Sequence, residues 1–161
     1  MHSGNNFIES ESLELVIPPT TLTFITTYTY SAACKNCCLN CNPKRRERLK
    51  ISKMKRYLRQ AVELYPTLKI LVLSGGECFL LGEDLDKIVK YASQKGLFVR
   101  VVTNGFWAKT FKKAYLRLNK LVQLGLSEVN LSTGNEHQEW VSYDSIVNAA
   151  VASLKLNNYE I

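Results

Sequence analysis

A chain of 161 residues, 46% hydrophobic and 22% charged, can bury one core and is not a disordered segment by composition. No apolar run approaches the length of a bilayer span, and the polar start Met1 to Asn6 lacks a signal-peptide pattern, so no membrane role is expected. The formal charge of +7, from 21 Lys and Arg against 14 Asp and Glu, is too small an excess to argue for nucleic acid.

Residues 1–19 read as an N-terminal arm, with acidic and apolar side chains alternating from Glu9 to Val16 and Pro18-Pro19 closing it off. A core domain follows over residues 20–161. Its first strand is Thr20 to Tyr28, rich in β-branched and aromatic residues, and it delivers the chain to a cysteine-rich loop. Four of the five cysteines stand there, at Cys34, Cys37, Cys38 and Cys41. An odd number of clustered cysteines suits thiolate ligation in a reducing cytoplasm, not a disulfide framework.

Three readings compete for the loop. A buried helical stripe would put positions 34, 38 and 41 on one face, but Lys35, Asn36, Asn40, Asn42 and Pro43 argue against a helix. A structural zinc site would use the two C-x-x-C pairs, yet these abut where zinc sites normally separate them by a dozen or more residues. The third reading is an iron–sulfur cluster held by Cys34, Cys38 and Cys41, leaving one iron open.

Beyond the loop, a helix is expected from about Arg46 to Tyr65, with Ile51, Met54, Leu58, Ala61, Val62 and Tyr65 on one face and Pro66 as its stop. The second strand, Lys69 to Leu73, leads into Ser74-Gly75-Gly76-Glu77. A helix over Glu83 to Lys95 turns Leu85, Ile88, Val89 and Ala92 inward and stops at Gly96. The third strand, Phe98 to Val102, runs into Thr103-Asn104-Gly105. The next helix, from about Thr110 to Gln123, is expected to bury Phe111, Ala114, Tyr115, Leu118, Leu121 and Val122. A fourth strand over Glu128 to Leu131 precedes the loop Ser132 to His137. The last helix, Ser142 to about Leu156, carries Ile146, Val147, Ala150 and Leu154, and a fifth strand is expected to begin in Asn157 to Ile161. Alternating strands and helices predict right-handed βαβ units on a parallel sheet, with functional loops gathered at the strands' C-terminal rim. The fold class expected is α/β.

A C-x3-C-x2-C loop, then strand–Gly-Gly-Glu, then strand–Thr-Asn-Gly, in that order, resembles the radical S-adenosylmethionine superfamily from about Thr21 onward. The resemblance implies a partial (β/α) barrel of parallel strands, about four to five βα units where the family commonly has six. Such a barrel would be truncated, or completed by a missing region or a partner. It implies that Cys34, Cys38 and Cys41 bind a 4Fe–4S cluster whose open iron chelates S-adenosyl-L-methionine. Reductive cleavage would then yield a 5′-deoxyadenosyl radical that abstracts hydrogen from a substrate.

By the same resemblance, Gly75 and Gly76 let the backbone approach the methionine end of the cofactor, and Glu77 accepts from its ammonium group. Thr103 and Asn104 line the rim, and Ser132 meets the ribose hydroxyls. Asn40 stands where the family usually has an aromatic residue against the adenine, Cys78 stands in place of the family's usual Pro, and Gly134 replaces an acidic residue, with Asn135 a substitute. Cys37 reads as a spare thiol and His137 as a hydrogen-bonded loop histidine. The basic run Lys44, Arg45, Arg46, Arg48, Lys50, Lys53, Lys55 and Arg56 is a solvated helix face or a dock for a flavodoxin-like electron donor. A peptide or protein substrate is the expected partner. An activase that installs a glycyl radical is the enzymatic alternative, and a non-catalytic iron–sulfur or zinc-binding half-barrel is the other.

Overall fold

The computed structural model describes residues 17–156; the expected fifth strand and most of the expected N-terminal arm lie outside them. Four strands form one parallel sheet in sequential order: β1 (Thr21–Ile25), β2 (Ile70–Ser74), β3 (Phe98–Thr103) and β4 (Leu126–Leu131). Helices α1 (Ile51–Leu64), α2 (Glu83–Ser93) and α3 (Phe111–Gln123) make the crossovers. The one-turn α4 (Asn135–Gln138) and the longer α5 (Tyr143–Leu156) follow β4. This is the α/β arrangement of a partial (β/α) barrel.

Strand periodicity decides which side the helices cover. Leu71 and Leu73 of β2 and Val99 and Val101 of β3 are fully buried, and pack with Met54, Leu58, Leu85, Ile88, Val89, Leu118 and Leu121 from the helices. The alternate row runs Thr23–Val72–Arg100–Glu128 across the sheet in register. It faces away from that core and carries an ion pair, Arg100 Nη2 to Glu128 Oε2 at 2.7 Å.

Local signals explain the helix starts. Glu83, Asp84 and Asp86 place negative charge in the first turn of α2, where the helix dipole favours it. The Thr110 hydroxyl caps α3 by accepting from the Lys113 amide.

Several expected boundaries shift. The first strand ends at Ile25, and α1 begins at Ile51 instead of near Arg46, because residues 42–49 run back along residues 26–30. Isolated bridges pair Thr27 with Arg48 and Thr29 with Asn42, and the Leu49 amide donates to the Thr26 carbonyl at 2.8 Å. The backbone there is occupied by pairing that leaves no room for a helical turn. Cys78–Leu81 adds a 3-10 turn after the Gly-Gly-Glu segment.

The last helix buries only part of the apolar set it carries. Ser145, Ile146, Ala149 and Ala152 are the buried positions of α5, while Val147 and Leu154 are exposed along with Tyr143 and Val151. Small side chains let α5 sit close on its neighbours, and no hydrophobicity rule gives them priority over Val and Leu. Tyr65 and Phe111, expected inside, lie at the exposed ends of their helices. Among the described residues, no helix is long and apolar enough to cross a membrane.

Candidate active site

All four strands point their C-terminal ends at one rim, and the loops that follow enclose a cavity of about 570 Å³. Its lining includes Cys34, Cys37, Cys38 and Cys41 from the loop after β1, Gly75 and Gly76 after β2, and Thr103 and Asn104 at the end of β3. Ser132, Gly134 and residues 135–137 close it from beyond β4. Chain segments about a hundred residues apart thus meet in one chamber, in the order of the motifs.

Backbone hydrogen bonds seat the chain that leads into the cysteine loop. The Gly76 amide donates to the Thr27 carbonyl at 2.6 Å, and the Glu77 amide donates to the Thr29 carbonyl at 3.0 Å. A Cβ on Gly75 would stand 2.6 Å from the Thr27 oxygen, and one on Gly76 would stand 2.2 Å from the Thr29 oxygen. Glycine is therefore required at both positions by the chain that leads into the cysteine loop, a different reason from the close approach to a cofactor that the sequence suggested. Gly75 also holds φ +125°, which side chains rarely adopt.

On the other side, Thr27 and Thr29 hydroxyls donate to the Glu47 and Arg45 carbonyls. The Arg45 guanidinium lies 4.1 Å from the centre of the Tyr28 ring and reaches the Leu39 carbonyl at 3.4 Å. Arg45 is thus a fastener of the loop, and Arg48 pairs with Asp84. Two members of the expected docking run are already engaged within the fold.

Within the loop, Cys41 is buried, Cys34 and Cys37 are half-buried and Cys38 is exposed; all five cysteines of the chain are free thiols. Burial pushes the Cys34 thiol up and the Cys41 thiol up to about 11, so these two become thiolates only when a cation rewards deprotonation. Cys37 is opposite: burial raises it, but backbone amides led by that of Cys41 outweigh this and hold it below the usual range. Its sulfur accepts from the Cys41 amide at 3.4 Å, which makes it a cap of the turn that presents Cys41.

Among the described residues, no three His, Cys, Asp or Glu side chains converge as they would around a single ion. Cys34, Cys38 and Cys41 do line one chamber, and three thiols are the donor set an iron–sulfur group takes.

Two expected contacts lie elsewhere. Asn40 is exposed, outside the chamber, and takes a left-handed turn conformation (φ 49°) that asparagine tolerates. Leu39 lines the chamber instead. Glu77 is fully buried and absent from the lining. Its Oε1 accepts from the Thr103 hydroxyl at 2.8 Å and the Phe79 amide at 3.1 Å, and its Oε2 accepts from the Asn104 amide at 2.9 Å. Cys78 packs in the core, with its thiol toward the Val102 carbonyl.

Tyr30 is a wall of the chamber that the sequence did not single out. Its phenol lies near Asn104 and Cys34, and burial raises it far above its usual range, so it stays protonated. A tyrosine in a strand extension offers no pattern to mark it. Asn104 also pairs with Ser31, whose hydroxyl accepts from Nδ2 at 3.0 Å. His137 does line the chamber, on the single turn of α4. That turn is fastened to the cysteine loop by Glu136, whose carboxylate accepts from the Asn36 backbone amide at 3.2 Å and from the Asn36 side chain.

A parallel sheet with its motif loops gathered at one rim is the fold that the resemblance to the radical S-adenosylmethionine superfamily implied. No family model matches the chain. Among curated proteins it is similar to one from Bacillus subtilis (strain 168) described as "Putative peptide biosynthesis protein YydG". The two are 25% identical over 134 residues, covering 81% of this chain and 41% of that protein. Among solved structures it is similar in fold to "Native anSMEcpe with bound AdoMet and Cp18Cys peptide", with a TM-score of 0.59 and 15% identity over 85% of this chain and 40% of that one. The chain thus spans about two fifths of the length of each.

Proposed function

We propose that this chain is the cofactor-binding part of a radical S-adenosylmethionine enzyme that modifies a peptide. The observation that carries the reading is the placement of Cys34, Cys38 and Cys41 in one chamber with Gly75, Gly76, Thr103, Asn104 and Ser132. Its supports are the bound S-adenosylmethionine and peptide in the solved structure of similar fold, and the peptide-biosynthesis description of the curated relative.

Cys34, Cys38 and Cys41 would hold a 4Fe–4S cluster. When bound, that cluster supplies the electron that splits a sulfur–carbon bond of S-adenosylmethionine, giving methionine and a 5′-deoxyadenosyl radical. The chain's own contribution is placement and exclusion. Gly75, Gly76, Thr103 and Asn104 line the chamber together with the cysteines. Ser132 would bind a ribose hydroxyl. Tyr30, neutral and buried, offers a donor beside Cys34 without adding charge. Residues 135–137 line the chamber beside the cysteine loop, to which Glu136 is bonded.

The cluster needs an electron, and the exposed cations Lys44, Arg46, Lys50 and Lys53 beside the loop have no acidic partner among the described residues. They would receive an acidic, flavodoxin-like donor. Anaerobic reconstitution with iron and sulfide, followed by a 5′-deoxyadenosine assay with dithionite, tests the reading. Formation of the nucleoside by wild-type protein, and not by the Cys34→Ala variant, is the expected result.

A further inference from the structure

We propose that Glu77 is a positioning residue, a buried clamp that joins the loop after β2 to the end of β3 and so fixes the chamber wall at Asn104, making no contact of its own with S-adenosylmethionine. The inference rests on the proposed function for its binding readout, but its geometry is independent of it. Both carboxylate oxygens are engaged by the fold. Oε1 takes the Thr103 hydroxyl and the Phe79 amide, and Oε2 takes the Asn104 amide. The residue is fully buried, and the chamber is lined by its neighbours Gly75, Gly76, Thr103 and Asn104.

The network continues away from the chamber. Thr103 Oγ1, which donates to Glu77, accepts from the Trp107 indole at 2.9 Å and from the Gly105 amide at 3.2 Å. Trp107 stacks on Phe79 with centroids 4.2 Å apart, so the 3-10 turn and the end of β3 are locked from two sides. Every hydrogen here points toward the carboxylate, which makes Glu77 the terminal acceptor of the chain Trp107–Thr103–Glu77. On the chamber side, Asn104 is held by its backbone amide so that its side chain reaches the Ser31 hydroxyl.

Among the described residues, no cation is bonded to the carboxylate. The titratable groups near it are Cys78 and Tyr30, whose thiol and phenol burial keeps neutral. Arg117 lies beyond the Phe79 ring at 5.5 Å and is paired with Asp86. Burial pushes Glu77 up to about 7, against the three hydrogen bonds that favour its ionised form. Its proton is therefore exchanged near neutrality, which alters the hydrogen bonds that Thr103 and Asn104 give the carboxylate.

The test is a chemical cycle read alongside NMR. S-adenosylmethionine and its analogue lacking the α-amino group are titrated into reconstituted wild-type protein and E77Q. A clamp predicts that E77Q weakens both ligands by the same factor, several-fold. A direct contact predicts a loss confined to the ligand that carries the amine, and that outcome overturns the proposal. Independently, the Trp107 indole N–H resonance of ligand-free protein should move with pH near 7 in wild type and not in E77Q, with the exposed Trp140 as reference. A Trp107 signal indifferent to both pH and E77Q also overturns the clamp. If wild type binds no S-adenosylmethionine at all, the proposed function fails, while the indole readout still decides the clamp.

Discussion

The carbonyl oxygen of Thr29 occupies the space in which a side chain on Gly76 would begin, 2.2 Å from that Cβ position. The obstacle is backbone, already engaged by the Glu77 amide, so it cannot rotate away as a side chain would. Gly76→Ala should therefore displace the strand extension that carries the cysteine loop, at a cost of about 2–4 kcal/mol. Chemical denaturation and iron content after reconstitution check this: the variant should unfold earlier and hold less iron per chain. Unchanged values for both would mean that the loop is seated by something else.

Glu77 ties stability to pH in a direction opposite to most salt-bridged carboxylates. Its folded pKa of about 7 lies above the ordinary value of 4.5, so the folded state holds the proton more tightly than the unfolded chain. Its contribution is fully present below about pH 4.5 and is lost as pH rises through about 7, amounting to up to roughly 3 kcal/mol. Denaturation midpoints of wild type relative to E77Q should decline across that window. A difference that is flat with pH would refute the assignment.

Much of this was legible beforehand, and the exceptions share a cause. Strand and helix identity followed from hydrophobic period, and the gathering of the motif loops at one rim followed from the βαβ order, while the residues to look for on them came from the family resemblance. What the sequence could not show was which partner each residue spends itself on. Gly75 and Gly76 were legible as close-approach glycines, but the approaching atoms are carbonyls of residues about fifty positions earlier. Glu77 was legible as an acceptor, yet its donors come from β3 and the 3-10 turn. Arg45 read as surface charge until its stacking on Tyr28 was seen. Long-range hydrogen bonds leave no local pattern, and Tyr30 had none at all.

Glu136 fastens α4 to the cysteine loop through Asn36, across exposed surface. Removing the carboxylate with Glu136→Ala should change global stability by less than about 1 kcal/mol. Hydrogen exchange at the Asn36 amide should nevertheless accelerate several-fold, because its acceptor is gone. Protection that persists in the variant would show that the loop is held without this contact.

The proposed donor site is testable without disturbing the loop, provided the engaged Arg45 and Arg48 are left alone. Charge reversal at Arg46, Lys50 and Lys53 together should slow turnover driven by reduced flavodoxin by tenfold or more at low salt, an effect that added salt suppresses in wild type. Turnover driven by dithionite should be unchanged. Equal losses with both reductants would place the damage in the fold.

The most direct measurement is 5′-deoxyadenosine formed from S-adenosylmethionine by anaerobically reconstituted protein under dithionite, with iron counted on the same sample. Wild type should hold about four irons per chain in a 4Fe–4S cluster and release the nucleoside, and replacing Cys34, Cys38 and Cys41 together by alanine should abolish both. Iron and nucleoside that survive the triple replacement, or a wild-type chain that binds no iron, would contradict the account.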